Sequence, residues 1–75
     1  MGYLCNMNFD INKLFGKKLV ELRKKQNISQ EELADRCGFH RTYIGSLERG
    51  EKSPTLNTLE KLSKGLNIEI QDFFK

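Results

Sequence analysis

Between Ser29 and Gly50 the chain reads SQEELADRCGFHRTYIGSLERG, and this stretch leaves little choice of fold. Ser29 is a helix N-cap residue, and Glu32 stands three positions later. That is the spacing of a capping box, in which the serine oxygen takes the Glu32 N–H and the glutamate reaches back to the Ser29 N–H. Ile28 before the cap and Leu33 after it have the spacing of a hydrophobic staple. A helix is therefore predicted from Gln30 to about Cys37, where Gly38 can take the left-handed conformation that ends helices. Only Phe39 and His40 separate it from a second helical pattern. There Phe39 and Ile44 repeat the staple spacing, and Gly50 supplies the second stop.

Two short helices joined by a tight turn containing glycine make a helix-turn-helix. In the second helix Ile44 and Leu47 are the inward pair. Around the other side lie Arg41, Thr42, Gly45, Ser46 and Arg49, which are donors, small residues and cations, with no Glu–Lys pair of the kind that laces a purely solvated face. Such a face lets a helix approach closely and bond to base edges or phosphates. The same spacing also occurs in inert helical hairpins, where this face would only be solvated.

Three segments in order, SQEELADRCG, RTYIGSLERG and PTLNTLEKLSKGLNI, resemble the helix-turn-helix domain of phage repressors and their bacterial relatives, the XRE or lambda repressor-like family. The likeness runs from about residue 11 to residue 74. Within that family, a domain of this length with RTYI opening the second helix looks most like the controller proteins of restriction–modification systems. The resemblance implies an all-α, five-helix, lambda repressor-like fold. It implies that Arg41, Thr42 and Ser46 read bases, Arg41 by a bidentate bond to guanine. It places Gln30, at the start of the first helix of the motif, on a phosphate, and the segment holding Arg49, Lys52, Ser53 and Asn57 along the backbone. It pairs Arg23 with Glu48 as a structural ion pair. Glu31 and Asp35 match acidic residues through which the lambda repressor touches RNA polymerase. As residues alone, these carboxylates equally serve to stabilise a helix N-terminus. Two positions have two readings each. The Tyr43 hydroxyl meets a phosphate or its ring is half-buried, and His40 bonds a phosphate or is a weak cap.

Elsewhere the chain is read in order. Residues 1–9 (MGYLCNMNF) carry no charge and no clear period and are expected to form a flexible arm, leaving residues 10–75 as the DNA-binding domain with a C-terminal dimerisation helix. Asp10 or Asn12 opens a long helix in which Ile11, Leu14, Phe15, Leu19 and Leu22 keep to one stripe. Its lysines and arginines, Lys17 and Lys18 among them, form either a solvated face or a phosphate-facing flank. After Pro54, Thr55 is a good N-cap for a helix whose Leu56, Leu59, Leu62 and Leu66 are assigned to the core, with Gly65 and Asn67 at its end. The tail IEIQDFFK is read as a last short helix. Its Ile68, Ile70, Phe73 and Phe74 are too apolar for a solvated terminus and are assigned to the core edge and a two-fold interface.

Composition limits the alternatives. At 75 residues there is room for one domain with a small core, which dimerisation would reinforce. A net charge of +3 suits a polyanionic partner without requiring one. No apolar run is long enough for a bilayer and no secretory segment is evident, so a cytoplasmic protein with no membrane partner is expected. Cys5, Cys37 and His40 match no zinc spacing, and no metal or cofactor is expected. No catalytic constellation or phosphate-binding glycine loop is present, which argues against an enzyme, and there is no second domain to bind a small-molecule ligand. The expected function is a homodimeric regulator on double-stranded DNA with a pseudo-palindromic operator, a controller that activates and represses its own promoter according to its concentration, with RNA polymerase as a further candidate partner. A phage-type repressor or a DNA-binding antitoxin that neutralises a protein toxin would share the same domain.

Overall fold

The computed structural model describes residues 10–75. The arm expected over residues 1–9, Cys5 included, lies outside the described residues. The described chain forms α1 (Ile11–Lys25), α2 (Gln30–Cys37), α3 (Arg41–Glu48) and α4 (Leu56–Leu66), followed by a 3-10 helix at Ile70–Phe74. The five-helix expectation is thus corrected to four α-helices and one 3-10 turn. Over so few residues Asp72 N–H closes onto Glu69 O at 3.0 Å, while Asp72 Oδ2 accepts the Glu69 N–H at 3.0 Å. The tight i→i+3 turn is sufficient for a segment of this length.

Local chemistry sets each boundary. Asp10 Oδ1 accepts the N–H groups of Asn12 and Lys13 and so caps α1, whose last turn places Arg23, Lys24 and Lys25 at the negative end of the helix dipole. Ser29 Oγ caps α2 through the Glu32 N–H at 3.0 Å. The reciprocal half of the expected capping box does not form, because the Glu32 carboxylate instead binds Arg36 one turn on at 3.0 Å. Gly38 ends α2 with φ at +79°. Thr55 Oγ1 caps α4 through the Thr58 N–H. The stop of α4 is Asn67 in the left-handed region, φ +59°. Gly65 is not part of that stop. It lies inside α4 where the helix crosses α2, and a Cβ there would collide with Cys37 Sγ.

The core lies between the helices, with Leu19, Leu33, Ile44, Leu47, Leu62 and Leu66 fully enclosed. Phe15 of α1 and Phe73 of the 3-10 turn meet with ring centroids 5.1 Å apart, which locks the tail onto α1. Phe73, at 4% exposure, is therefore a core residue and not an interface residue. Ile68 packs half-buried against the core, while Ile70 and Phe74 face outward. The core assignment of Leu56 is also corrected: it is 83% exposed, because it starts α4 before the helix reaches its neighbours. On the α1 stripe, Ile11 and Leu14 are more than half exposed. Gly16 in mid-α1 carries the closest helix approach to α3: a Cβ there would stand 2.5 Å from Glu48 O and 2.6 Å from Leu47 O.

Candidate nucleic-acid interface

The turn between α2 and α3 aims the second helix of the motif. Phe39 N–H bonds Ala34 O at 2.9 Å, the hydrogen bond that closes a helix ending in a left-handed glycine. His40 then caps α3. Its Nδ1 accepts the Thr42 N–H at 3.1 Å and lies 2.9 Å from Thr42 Oγ1. With Nδ1 as acceptor, the Thr42 hydroxyl donates and its lone pairs stay open. His40 is thus the cap of α3, a contact in which its Nε2 atom takes no part. Phe39 stacks edge-on against Tyr43 at 5.0 Å, with Lys61 Nζ over its ring at 5.5 Å, so the turn is also held from α4.

A polar clamp fixes the far end of α3. Arg23 Nε donates to Glu48 Oε2 at 2.7 Å and Arg23 Nη2 to Glu48 Oε1 at 3.1 Å. Arg23 Nη1 donates to Ile28 O at 2.9 Å. The two side chains are only 11% and 5% exposed. A bidentate guanidinium–carboxylate pair this deep has a specific geometry, and it ties α1, the entry to α2 and the end of α3 together. Gln30 completes the set by donating Nε2 to Glu48 Oε1 at 2.8 Å. The side chain expected on a phosphate is thus turned into the protein and satisfies the second carboxylate oxygen.

Along α3, Arg41 and Thr42 are exposed. Ser46 is not: it is 6% exposed, and its hydroxyl donates to Tyr43 O at 2.7 Å. A serine in mid-helix commonly bonds back to its own helix, and this removes Ser46 from the open face. Tyr43 is half-buried, with its hydroxyl 3.0 Å from Thr58 Oγ1. Thr58 is in turn reached by the Thr55 hydroxyl at 3.1 Å.

Past α3, Arg49, Lys52, Ser53 and Asn57 are all exposed along the chain's path into α4. Ser53 donates to Asn12 Oδ1 at 2.8 Å, joining this loop to the start of α1. Arg49 donates through Nε and Nη2 to both oxygens of Glu51, at 2.8 and 3.1 Å. The hydrogen bond and the nearby guanidinium hold the Glu51 carboxyl below its usual range, and Arg49 is raised reciprocally. The Gly50 turn, φ +77°, brings the two together.

On α2, Glu31 and Asp35 are exposed beside the motif turn and share a shallow groove with Phe39, His40 and Arg41. No group of three metal-ligating side chains occurs among the described residues, and none of their helices is long and apolar enough to cross a membrane. Sequence reasoning did not identify three features: the Thr58 hydroxyl cluster, the Gln30–Glu48 bond and the Arg49–Glu51 clasp. Only the last had a sequence signal, a cation and a carboxylate flanking a single glycine.

This arrangement agrees with known proteins. A helix-turn-helix family model, HTH_3, matches residues 19–73. The chain is 45% identical over 67 residues to control protein C.BamHI of Bacillus amyloliquefaciens, covering 88% of this chain and 83% of that protein. It is 46% identical over 67 residues to control protein C.SmaI of Serratia marcescens, covering 89% and 77%. Among solved structures, the restriction–modification controller protein C.AhdI from Aeromonas hydrophila superposes with a TM-score of 0.85 at 38% identity, over 88% of this chain and 100% of that one.

Proposed function

The chain belongs to the helix-turn-helix family, and from that premise we propose that it is the controller of a restriction–modification locus, a homodimer that reads a pseudo-palindromic operator near its own gene. It is a DNA-binding transcription regulator and not an enzyme. The observation that carries the finer reading is the state of α3. Its first two residues, Arg41 and Thr42, are exposed, while its last, Glu48, is clamped to Arg23. A helix fixed at one end, with the Arg41 guanidinium and the Thr42 side chain exposed at the other, is suited to base reading, because the ordering cost has been met in the fold. Lys52, Ser53, Asn57 and Arg49 then supply backbone contacts that set the register.

The homodimer reading is supported by a mostly apolar groove of about 240 Å³, lined by the exposed Ile11, Leu14 and Phe74, the core residues Phe15 and Phe73, and Lys18 and Lys75. Together with the exposed Ile70 of the tail, it is suited to a two-fold contact. Two copies would place their α3 helices about one DNA turn apart. Glu31 and Asp35 stay free for RNA polymerase when α3 is engaged, which supports activation from one bound site, and occupancy of a second site at higher concentration would repress. A cytoplasmic location is in keeping with work on DNA.

Footprinting of the DNA around its own gene, at several salt concentrations, tests this reading. A protected two-fold symmetric site with a steep salt slope is expected. Uniform weak binding with no protected site would overturn it.

A further inference from the structure

An imidazole caps α3, at a position where serine, threonine, aspartate or asparagine is usual. His40 Nδ1 accepts the Thr42 N–H at 3.1 Å. That nitrogen therefore carries no proton, and the proton of the neutral ring sits on Nε2. The same Nδ1 lies 2.9 Å from Thr42 Oγ1. At that distance a hydrogen must lie between the two atoms, and only the hydroxyl can supply it. The backbone bond thus decides the direction of the side-chain bond: Thr42 donates. Its hydroxyl hydrogen is taken up by the cap. What the exposed Thr42 side chain has left to offer is the lone pairs of its oxygen and its methyl group.

We propose that His40 is a positioning residue that sets the specificity of Thr42: by taking the hydroxyl hydrogen, it makes Thr42 a hydrogen-bond acceptor, tuned to a base that presents an exocyclic amine. The inference rests on the base-reading role proposed above for the start of α3. A free threonine hydroxyl can donate or accept, so on its own it tells bases apart poorly. In the major groove adenine N6 and cytosine N4 are donors, whereas guanine O6 and thymine O4 are acceptors. With its hydrogen held by His40, Thr42 bonds the first two and meets the others lone pair against lone pair. Turning the hydroxyl round to suit an oxo group costs the bond to Nδ1. His40 accordingly acts on the choice of base at one position, although it need not touch that base itself.

The test compares the parent with Thr42→Val, His40→Gly and His40→Asn at pH 8, above the ordinary histidine pKa of about 6.5. Selection from a library built on the footprinted duplex, for the parent and Thr42→Val, locates the base position that Thr42 reads. Competition between defined duplexes then sets adenine against guanine and cytosine against uracil at that position, uracil keeping the thymine methyl group out of the comparison. The parent should favour the amine-bearing base by about fivefold or more per half-site, the worth of one hydrogen bond. Glycine is tolerated as an N-cap, so His40→Gly frees the hydroxyl hydrogen at small cost to the fold, and the preference should largely disappear. Asparagine is a good cap whose Oδ1, like Nδ1, is an acceptor bonded to Cγ, so His40→Asn should restore the preference. A parent preference for the oxo base, or a ratio unchanged in His40→Gly, would overturn the proposal while the operator reading stands. Failure of His40→Asn to restore the ratio would trace the effect to the imidazole itself and also overturn it. Base preferences untouched by Thr42→Val would remove Thr42 from the base-reading set, and the proposal with it. Absence of any protected duplex would instead overturn the operator reading. Circular dichroism checks that each variant is folded at the assay temperature.

Discussion

The hydroxyls of Tyr43 and Thr58 meet at 3.0 Å, and this bond joins the middle of α3 to the first turn of α4. The phenol closes a short chain of hydroxyls with Thr55, the cap of α4. Tyr43→Phe should remove about 1 kcal/mol of stability, the usual net worth of such a bond. If the hydroxyl serves only the fold, operator affinity measured where both proteins are folded should equal the parent's. A loss of roughly fivefold, the worth of one hydrogen bond, would instead show that the hydroxyl is needed for a phosphate contact.

Arg23→Ala leaves Glu48 enclosed with Gln30 as its remaining partner. Breaking one side of a buried pair costs about 3 kcal/mol or more, and in a domain of this size that lowers the melting temperature by upwards of about 10 °C. Thermal unfolding followed at 222 nm measures it. A melting temperature equal to the parent's would show that the pair contributes nothing net. Arg23→Lys should recover only part of the loss, because an ammonium cannot reproduce the two-pronged contact and also reach Ile28 O.

At the tail, Lys75 and then the Glu69 N–H hold the Asp72 carboxyl below its ordinary range. A group whose pKa is lower in the folded state stabilises the fold above its unfolded pKa, and that contribution disappears as pH falls through the folded value. The difference in melting temperature between the parent and Asp72→Asn should therefore be full above about pH 5 and shrink toward zero in stronger acid. A difference that stays constant through the acid range would contradict it.

Arg41 and Lys52 are expected to fail differently. Arg41→Ala should cost about 1–3 kcal/mol at the operator and relax preference at one base position. Lys52→Ala should weaken binding to all duplexes alike and lower the salt slope by about one. Selection from a randomised operator library, repeated for each variant, separates the two. An unchanged base preference for Arg41→Ala would remove Arg41 from the base-reading set.

The contrast between what was and was not legible in the sequence follows from range. Ser29, Gly38 and Thr55 act on backbone groups within a few residues, so their spacing alone marks the helix ends. Arg23 and Glu48 lie 25 residues apart, and only family resemblance joined them. Phe73 and Phe74 are adjacent, and which one enters the core depends on whether the turn is 3-10 or α, a difference that apolar composition does not encode. Ser46 sits near the border of an eight-residue helix, where a small rotation decides between groove and interior. Leu56 keeps the apolar spacing of its helix but starts before the helix has anything to pack on. Gly16 inside α1 admits the end of α3, a neighbour far along the chain that a helix-interior glycine does not by itself name.

The contact between Gly16 and the end of α3 has a mechanical consequence. α1 carries Ile11 and Leu14 of the proposed two-fold surface near one end and, from its middle onward, the Gly16 and Arg23 contacts that position α3. In the proposed dimer it would be a strut between two docking events, one with a second protomer and one with DNA. A change in the angle at which two protomers met would then be passed along α1 and alter the distance between the two reading heads. Half-site spacing and interface packing are then one adjustable quantity, and a chain of this design can diverge to a new operator length through substitutions that never touch DNA.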